Sequence, residues 1–323
     1  MKRSVLIVGL GQIGLGFDLQ LPADKFVYSH ARAFHNHPAF CLVGGVDPDA
    51  SKRAAFTAAY RTPAFESLEQ AGDVLPVDLV IVATPTLTHY AIVCELLDLA
   101  GPRQAFLCEK PLSYDLVEAQ AMLKEITDRN VAVYVNYMRR SEPGALEVKR
   151  RIASGEIASP IKGVAWYSKG FLHNGSHLFN LLEDWLGEMH SFSLIDSGRT
   201  LGDGDAEPDV KVRFNKGEVT FLAAKDENFS LTALDIVSKT GRLGYEDGGR
   251  FIAWRPIARD KELLGYTFLS SNLEEIPCDF KRYQYHVVDQ LANALNGEAA
   301  CLCGGQQALR TLEGMHSILE SRK

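Results

Sequence analysis

The first 140 residues alternate short, continuously apolar segments with segments whose apolar positions recur every three or four residues. The first kind predicts strands, namely Ser4–Gly9, Phe40–Asp47, Leu79–Ala83, Ala105–Cys108 and Val131–Asn136. The second kind predicts helices, namely His30–His37, Ala50–Tyr60, His89–Leu99 and Asp115–Arg129. Strands that are apolar throughout are typical of a sheet buried on both faces, and their alternation with helices predicts parallel βαβ units.

The pattern changes after about residue 140. Further helices are predicted at Pro143–Ser154, Ser176–Leu186, Tyr283–Leu295 and Gly305–Ser321. Further strands are predicted at Ile161–Ser168, Val210–Phe214, Val219–Ala224, Ser230–Thr240 and Arg250–Trp254. Glycine-containing turns between these strands favour antiparallel hairpins. We therefore predict an α/β Rossmann domain with a doubly wound parallel sheet at 1–140. An α+β domain with a mostly antiparallel sheet follows at 141–323, and its last helix could pack back on the first domain.

Length and charge narrow the class of protein. A chain of 323 residues fits two domains, and 34 basic against 41 acidic residues give a net charge of −7. This balance argues against a nucleic-acid partner. The apolar run Val5–Leu10 is shorter than the roughly 7–15 residues of a signal-peptide core. We therefore expect a first strand there, and a cytoplasmic protein without a membrane partner.

The six cysteines give no sign of a metal site. There is no C-x-x-C pair, and Cys301-Leu302-Cys303 has no further ligands nearby in the sequence. We predict buried thiols in a reducing compartment, and no bound metal.

The first strand leads into the sequence Gly9-Leu10-Gly11-Gln12-Ile13-Gly14. In this pattern the first glycine permits a tight turn, the second lets the backbone approach a pyrophosphate, and the third lets a helix pack closely. The loop Gly9–Gly14, including Gln12 and Ile13, is therefore predicted to bind a dinucleotide.

A second strand ends at Asp47, whose carboxylate could accept hydrogen bonds from a ribose. An acid here predicts NAD rather than NADP, although Lys52 and Arg53 leave NADP open. The spacing from Gly14 to Asp47 exceeds the usual value of about 20 residues. The excess lies in Leu15–Ser29, which reads as an inserted loop before the helix.

Two further motifs point to a family. Thr84-Pro85 and His89 follow the fourth-strand region, and Glu109-Lys110-Pro111 follows the next strand. Together with the glycine loop, they resemble the glucose-fructose oxidoreductase / inositol dehydrogenase / rhizopine-catabolism family over nearly the whole chain. The resemblance implies a nicotinamide dinucleotide across the strand ends, with Thr84, Pro85 and His89 beside the nicotinamide ribose. It places Glu109 and Lys110 where cofactor meets substrate, with Pro111 after a cis peptide and Lys110 handling a hydroxyl proton.

The sequence His173-Asn174-Gly175-Ser176-His177 resembles the family pattern D-x-G-x-H. His177 matches the family's general acid/base, whereas His173 stands where an Asp is expected. Asn174 or Ser176 could cap the following helix. Three interpretations compete: a metal-binding pair without other local ligands, a structural cap with a core histidine, and an altered catalytic pair, which we favour.

The resemblance implies an NAD(H)-dependent oxidoreductase that acts on a sugar, a sugar derivative or a nucleotide sugar. Its substrate would contact Lys110, Tyr137, Arg139, Asn174 and His177. The family commonly assembles as a dimer or tetramer through the antiparallel sheet. The alternative is a non-catalytic dinucleotide-binding sensor or scaffold, because the usual Asp is replaced and the glycine loop is followed by an insertion.

Overall fold

The computed structural model describes residues 2–99, 101, 104–202, 204–224 and 228–322. The chain forms two compact units: Met1–Ser141 with Lys281–Arg310, and Glu142–Phe280 with Thr311–Lys323. This division differs from the expected 1–140 and 141–323, because a segment after residue 280 returns to the first unit. The reason is hydrophobic: Val287, Val288 and Leu291 of the returning segment lie in the apolar core of the first unit.

The strands and helices follow the predicted order, with additional strands, most of them short. The strands are β1 (Arg3–Val8), β2 (Phe40–Val46), β3 (Ala64–Phe65), β4 (Leu79–Val82), β5 (Ala105–Cys108), β6 (Ala132–Val135), β7 (Ile161–Tyr167), β8 (Met189–Asp196), β9 (Asp209–Phe214), β10 (Gly217–Ala223), β11 (Thr232–Ser238), β12 (Gly241–Glu246), β13 (Phe251–Arg259), β14 (Thr267–Leu269), β15 (Glu274–Ile276) and β16 (Cys303–Gly304). The helices are α1 (His30–Asn36), α2 (Ala50–Tyr60), α3 (His89–Asp98), α4 (Leu116–Asp128), α5 (Pro143–Ser154), α6 (Ser176–Leu186), α7 (Tyr283–Leu295) and α8 (Gly305–Glu320).

The first unit is built on a sheet with the strand order β16-β6-β5-β4-β1-β2-β3. All neighbours are parallel except β16, which pairs antiparallel with β6. The central strands are buried on both faces, since Val5, Leu6 and Ile7 are all fully buried. The predicted doubly wound parallel sheet is therefore confirmed.

This strand order fixes where a ligand can bind. Strand β1 lies between β2 and β4, and the order along the chain reverses at this point. Loops that leave the carboxyl ends of neighbouring strands on either side of such a reversal diverge and leave a crevice. Gly9, Asp47 and Thr84 follow the three strands at this reversal.

The second unit is built on a nine-stranded sheet with the order β14-β13-β12-β11-β7-β10-β9-β8, and β15 pairs with β13. Only the β7–β10 pair is parallel among the described pairs of this sheet. Its apolar face packs on aromatic side chains that include Phe171 and Phe179, whose rings meet edge to face. The predicted α+β unit with a mostly antiparallel sheet is confirmed.

Two longer strands of the second unit escaped prediction for physical reasons. Strand β8 carries many polar side chains and is exposed over much of its length, so it lacks an apolar signal. Strand β12 has the sequence Gly-Arg-Leu-Gly-Tyr-Glu, in which two glycines weaken the strand pattern. It pairs with β11 as a hairpin, so one predicted strand at Ser230–Thr240 is the first arm of two.

The inserted segment Leu15–Ser29 folds as a compact loop around one buried carboxylate. Asp18 is fully buried, and its oxygens accept hydrogen bonds from the backbone N–H groups of Tyr28 at 2.6 Å and Ser29 at 2.9 Å. They also accept one from the Ser29 hydroxyl at 2.6 Å. The Arg32 guanidinium lies 3.6 Å from Asp18 and donates to the carbonyls of two insertion residues. The insertion is thus closed at its base.

Among the described residues, every helix is too short or too polar to cross a lipid bilayer.

Removal of the Asp18 carboxylate should destabilise the first unit. Asp18→Ala leaves buried N–H groups and the Arg32 charge without their acceptor, and we expect a loss of about 3 kcal/mol of unfolding free energy. Urea denaturation followed by circular dichroism measures it. Asp24→Ala, at an exposed position of the same insertion, is the control and should change stability by less than about 0.5 kcal/mol. Equal effects of the two variants would show that the insertion is not held by Asp18.

Candidate active site

A cleft of about 730 Å³ opens at the carboxyl ends of β1, β2 and β4. Its volume lies in the usual range of roughly 300–1,000 Å³ for a small-molecule or cofactor site. The lining residues are Val8, Gly9, Gly11, Gln12, Ile13, Phe17, Val46, Asp47, Pro48, Lys52, Glu66, Ser67, Leu68, Ala83, Thr84, Pro85, Thr88, Ile92 and Glu95. The cleft therefore brings together most residues that the sequence assigned to the dinucleotide.

The three glycines of the loop have three different surroundings. Gly9 has a φ of +99°, and a Cβ there would lie 2.5 Å from the Ala83 carbonyl oxygen. A Cβ on Gly14 would lie 2.0 Å from the Gly9 carbonyl oxygen. A Cβ on Gly11 would have no atom within 4 Å, so this position faces open space. Gly9 and Gly14 are thus required by the fold, whereas Gly11 leaves room for a ligand.

The Asp47 carboxylate is held beside the loop. One of its oxygens accepts a hydrogen bond from the Leu10 N–H at 2.8 Å, and the other accepts one from the Asp49 N–H at 2.9 Å. Lys52 lies 3.5 Å away. The Arg53 guanidinium donates to the Asp47 carbonyl at 2.8 Å. Arg53 therefore binds a backbone carbonyl group. The Asp47 carboxylate is a positioned acceptor for ribose hydroxyls at the cleft wall.

On the opposite wall, Thr84 and Pro85 follow β4 and line the cleft. The Thr84 hydroxyl is buried and has no hydrogen-bond partner among the described residues. A buried polar group without a partner costs free energy. The hydroxyl therefore suits a polar group of a bound dinucleotide.

His89 lies behind the residues that line the cleft. It is fully buried and does not line the cleft. Its Nε2 lies 3.0 Å from the Thr84 carbonyl oxygen, and its Nδ1 lies 3.1 Å from the Pro111 carbonyl oxygen. His89 thus links the segments that carry Thr84 and Lys110. Direct contact with a nicotinamide ribose stays a prediction.

Glu109 and Lys110 follow β5, and the Lys110–Pro111 peptide is cis, as the resemblance implied. The Glu109 carboxylate accepts hydrogen bonds from His30 Nε2 at 2.8 Å and from Asn136 Nδ2 at 2.6 Å. Burial acts to raise the pKa of Glu109, but the contacts with His30, Asn136 and Lys110, in that order of size, outweigh it, and the pKa is lowered. Glu109 is therefore a carboxylate at neutral pH.

Tyr137 and Arg139, which the sequence assigned to the substrate, lie in the same unit beyond β6. Both are largely buried, with exposed fractions of 5% and 9%. Contact of either with a substrate stays a prediction.

In the second unit, His173 lies in a turn of π-helical form at Gly170–Gly175 that leads into α6. The buried Asp205 carboxylate fixes this turn by accepting from the N–H groups of Leu172 at 3.1 Å and His173 at 2.9 Å. Gly170 has a φ of +91°, and a Cβ there would lie 2.1 Å from Asp205. The histidine-bearing turn is therefore set by contacts with a distant acidic loop.

The two histidines of this turn differ in exposure. His173 is exposed and His177 is half-buried, as is Asn174. The predicted helix cap by Asn174 or Ser176 is wrong, because no side chain caps α6. Ser176 donates its hydroxyl hydrogen to the His173 carbonyl at 3.1 Å instead. The catalytic assignment of the two histidines stays a prediction.

Sequence reasoning missed the residues that fix the loops. Asp205 and Glu207 stand in the acidic run Asp203–Asp209, which reads as a solvated loop. Yet Glu207 is fully buried and pairs with Arg199 at 2.7 Å. His30 was treated only as the first residue of a helix. The sequence offered one signal for these residues, which is that polar residues are frequent near the predicted motifs.

Residues 3–137 match the model of an oxidoreductase family with an NAD-binding Rossmann fold. The chain is 37% identical over 107 residues to scyllo-inositol 2-dehydrogenase (NAD(+)) of Bacillus subtilis, a match of 33% of this chain and 28% of that relative. It is 33% identical over 129 residues to UDP-N-acetylglucosamine 3-dehydrogenase of Acidithiobacillus ferrooxidans, which is 39% of each chain. The matched segments thus span well under two thirds of these relatives.

The solved structure of that Acidithiobacillus ferrooxidans enzyme has the same fold. The TM-score is 0.74, with 17% sequence identity, and the superposition covers 99% of this chain and 99% of the other. The fold therefore agrees over both units. The family match, the open Gly11 position, the Asp47 acceptor and the unpartnered Thr84 hydroxyl together fit an NAD-binding site.

A side chain at Gly11 should block the cofactor without harming the fold. Gly11→Ala meets no atom of the protein, so stability should be unchanged or rise by up to about 1 kcal/mol. The added methyl group enters the space for the pyrophosphate, and NADH affinity should fall about 10-fold or more. NADH fluorescence titration measures it.

The control for this variant is Gly72→Ala, at an exposed glycine whose added Cβ also has no atom within 4 Å. It should bind NADH like the unaltered protein. Unchanged NADH binding by Gly11→Ala would place the pyrophosphate elsewhere.

Proposed function

We propose that this chain belongs to the glucose-fructose oxidoreductase / inositol dehydrogenase / rhizopine-catabolism family of oxidoreductases, whose model matches residues 3–137. We also propose that it is an NAD(H)-dependent dehydrogenase. It would transfer a hydride between the nicotinamide and a hydroxyl-bearing carbon of a sugar, a sugar derivative or a nucleotide sugar.

One observation carries the proposal. The glycine loop with Asp47 and the Glu109-Lys110-Pro111 segment leave the carboxyl ends of one parallel sheet. A dinucleotide binds along such an edge. A lysine on the same edge suits an enzyme that must stabilise an alkoxide.

When bound, the nicotinamide supplies the hydride chemistry. The residues of the chain would bind and orient it: Gly11 admits the pyrophosphate, and Asp47 accepts from the ribose. Lys110 would stabilise negative charge on the substrate oxygen or carry its proton, with Glu109 as its neighbouring counter-charge. NAD is favoured over NADP because the Asp47 carboxylate would repel a 2′-phosphate.

In the second unit, our candidate for the general acid/base is His177. A histidine titrates near neutral pH and can both accept and return a proton. We assign His173 the role of an orienting or relaying group, since Asp205 fixes its backbone. Asn174, Tyr137 and Arg139 are the further candidates for polar contacts with a substrate.

The names of the two relatives above support a polyhydroxylated substrate, because one acts on an inositol and the other on a UDP-linked sugar. Carbohydrate hydroxyls need hydrogen-bond partners, and the polar residues proposed here offer them.

Replacement of Lys110 or His177 tests the function. With NAD and a panel of inositols and UDP-sugars, the unaltered protein should form NADH, and Lys110→Ala and His177→Ala should each lower kcat by roughly 10²–10⁴-fold. NADH affinity should stay nearly constant, because neither side chain is needed to hold the dinucleotide.

Lys124→Ala and His190→Ala, both at exposed positions, are matched controls and should keep full turnover. Full turnover in Lys110→Ala and His177→Ala would refute the proposed roles. NADH binding without turnover on any panel member would favour the sensor interpretation.

We also propose a homodimer or homotetramer of a cytoplasmic protein. One face of the large sheet carries exposed apolar side chains, with Trp166 and Val237 exposed to 41% and 53%. Exposed apolar side chains of this size suit contact with a second copy of the chain. The six cysteines are present as thiols in the structure, which suits a reducing compartment.

The oligomer can be measured directly. We expect light scattering during gel filtration to give a mass of two or four chains of 35.6 kDa. Trp166→Glu should lower that mass, since a carboxylate in an apolar interface is costly. Gln306→Glu, at an exposed position of α8, serves as the charge control. A single-chain mass for the unaltered protein would contradict the oligomer.

A further inference from the structure

Four buried polar side chains of the first unit form a closed ring of hydrogen bonds. They come from four separate segments: His30 at the start of α1, Glu109 after β5, Asn136 after β6 and Gln284 in α7. His30, Asn136 and Gln284 are at most 3% exposed, and the Glu109 side chain is 13% exposed. A polar ring at this depth is costly unless every member is paired.

The direction of each hydrogen bond follows from the carboxylate, which can only accept. Asn136 Nδ2 donates to Glu109 at 2.6 Å and to Gln284 Oε1 at 3.3 Å. Gln284 then turns its Nε2 toward His30 Nδ1, 2.7 Å away. Since Gln284 Nε2 is a donor, His30 Nδ1 must accept. The proton of the neutral His30 ring therefore lies on Nε2 and points at Glu109, 2.8 Å away.

His30 reaches this position because of the insertion. The N–H groups of His30 and Ala31 donate to the carbonyls of Ile13 and Gly14 at 2.9 Å each. Helix α1 is thereby attached to the end of the glycine loop, and Asp18 closes the loop before it. The residue that directly follows the insertion thus touches the carboxylate next to Lys110.

We propose that His30 is a positioning residue, which holds the Glu109 carboxylate charged and in one place beside Lys110. This inference rests on the proposed role of Lys110. It makes the inserted segment part of the apparatus that handles the substrate proton, through a hydrogen bond that orients a charged group.

Other ionisable groups also face Glu109. Burial raises the pKa of Glu109, and the contact with His30 lowers it most, followed by the contacts with Asn136 and Lys110. Cys108 and Tyr283 feel the Glu109 charge, and burial and that charge together raise the pKa of each. Neither is charged at neutral pH, so His30 is the main neighbour whose loss would release the carboxylate.

The first test needs no cofactor or substrate. ¹⁵N NMR of the histidine-labelled protein, with the His30 signal identified by its absence in His30→Gln, should show a ring protonated on Nε2 and not on Nδ1 at pH 7. A ring protonated on Nδ1, or on both nitrogens at pH 7, would overturn the inference.

The second test follows the carboxylate. ¹³C NMR of the glutamate-labelled protein, with Glu109 identified in Glu109→Gln, should show that its pKa rises by about 1 unit in His30→Phe. It should return toward the original value in His30→Gln, whose amide can donate in place of Nε2. His37→Phe removes another buried histidine that faces a carboxylate, Asp289, and should leave Glu109 unchanged.

The third test measures turnover with the best substrate of the inositol and UDP-sugar panel. His30→Phe should lower kcat about 10-fold with KM and NADH affinity nearly unchanged, and His30→Gln should recover most of it. A purely structural role would lower NADH affinity and stability together and would not be rescued by Gln.

The outcomes separate the two proposals. If Lys110→Ala loses turnover while His30→Phe leaves both kcat and the Glu109 pKa unchanged, the His30 inference is wrong and the proposed function stands. If Lys110→Ala keeps full turnover, the proposed role of Lys110 fails. Should His30→Phe not fold, His30→Leu takes its place in the second and third tests, and an unchanged Glu109 pKa and kcat in that variant would overturn the inference.

Discussion

The close approach of Gly9 to the end of β4 is the constraint on which the cofactor cleft depends. A Cβ at Gly9 would lie 2.5 Å from the Ala83 carbonyl oxygen, so only glycine lets the two strand ends come this near. The chain then turns, and Gly14 is constrained in the same way, because a Cβ there would clash with the Gly9 carbonyl oxygen. Because the backbone is packed so tightly here, the open side of Gly11 is the natural place for a pyrophosphate. Asp47 and Thr84 flank that place because their strands adjoin β1.

A second constraint is the fixing of loops by buried carboxylates. Asp18 closes the insertion, Asp47 holds Leu10, and Asp205 holds the turn of His173. In each case the carboxylate accepts from backbone N–H groups that no helix or strand satisfies. Such bonds are strong because one partner is charged, and leaving the N–H groups unpaired would be costly. The candidate functional loops of both units therefore owe their shape to buried acids, of which Asp18 and Asp205 lie outside the sequence motifs.

Much of the first unit could be predicted because its signals are local. An apolar run followed by glycines, or by Glu-Lys-Pro, can be recognised from a few consecutive residues. The parallel sheet follows from the alternation of strands and helices. The return of α7 to the first unit could not be predicted, since its apolar face would fit either core. The contact between His30 and Gln284 could not be predicted either, because the two residues lie 254 positions apart in the sequence. The burial of His89 could not be predicted, because it depends on how the segment of Pro111 is packed against it.

The insertion illustrates how a fold accepts extra residues without losing the helical hydrogen bonds at the glycine loop. Leu15 and Gly16 donate to the Gly11 carbonyl, so a helical turn begins at the loop as it would in an uninterrupted helix. The insertion leaves the carbonyls of Ile13 and Gly14 without their usual helical donors. The N–H groups of His30 and Ala31 donate to these carbonyls instead. The cost is mainly loop closure, which grows by only about 0.6 kcal/mol for each doubling of loop length. The hydrogen bonds of Asp18 can offset a cost of that size. Since the helical hydrogen bonds are restored, the first residue after the insertion keeps a fixed position beside β5, and a histidine there can reach Glu109.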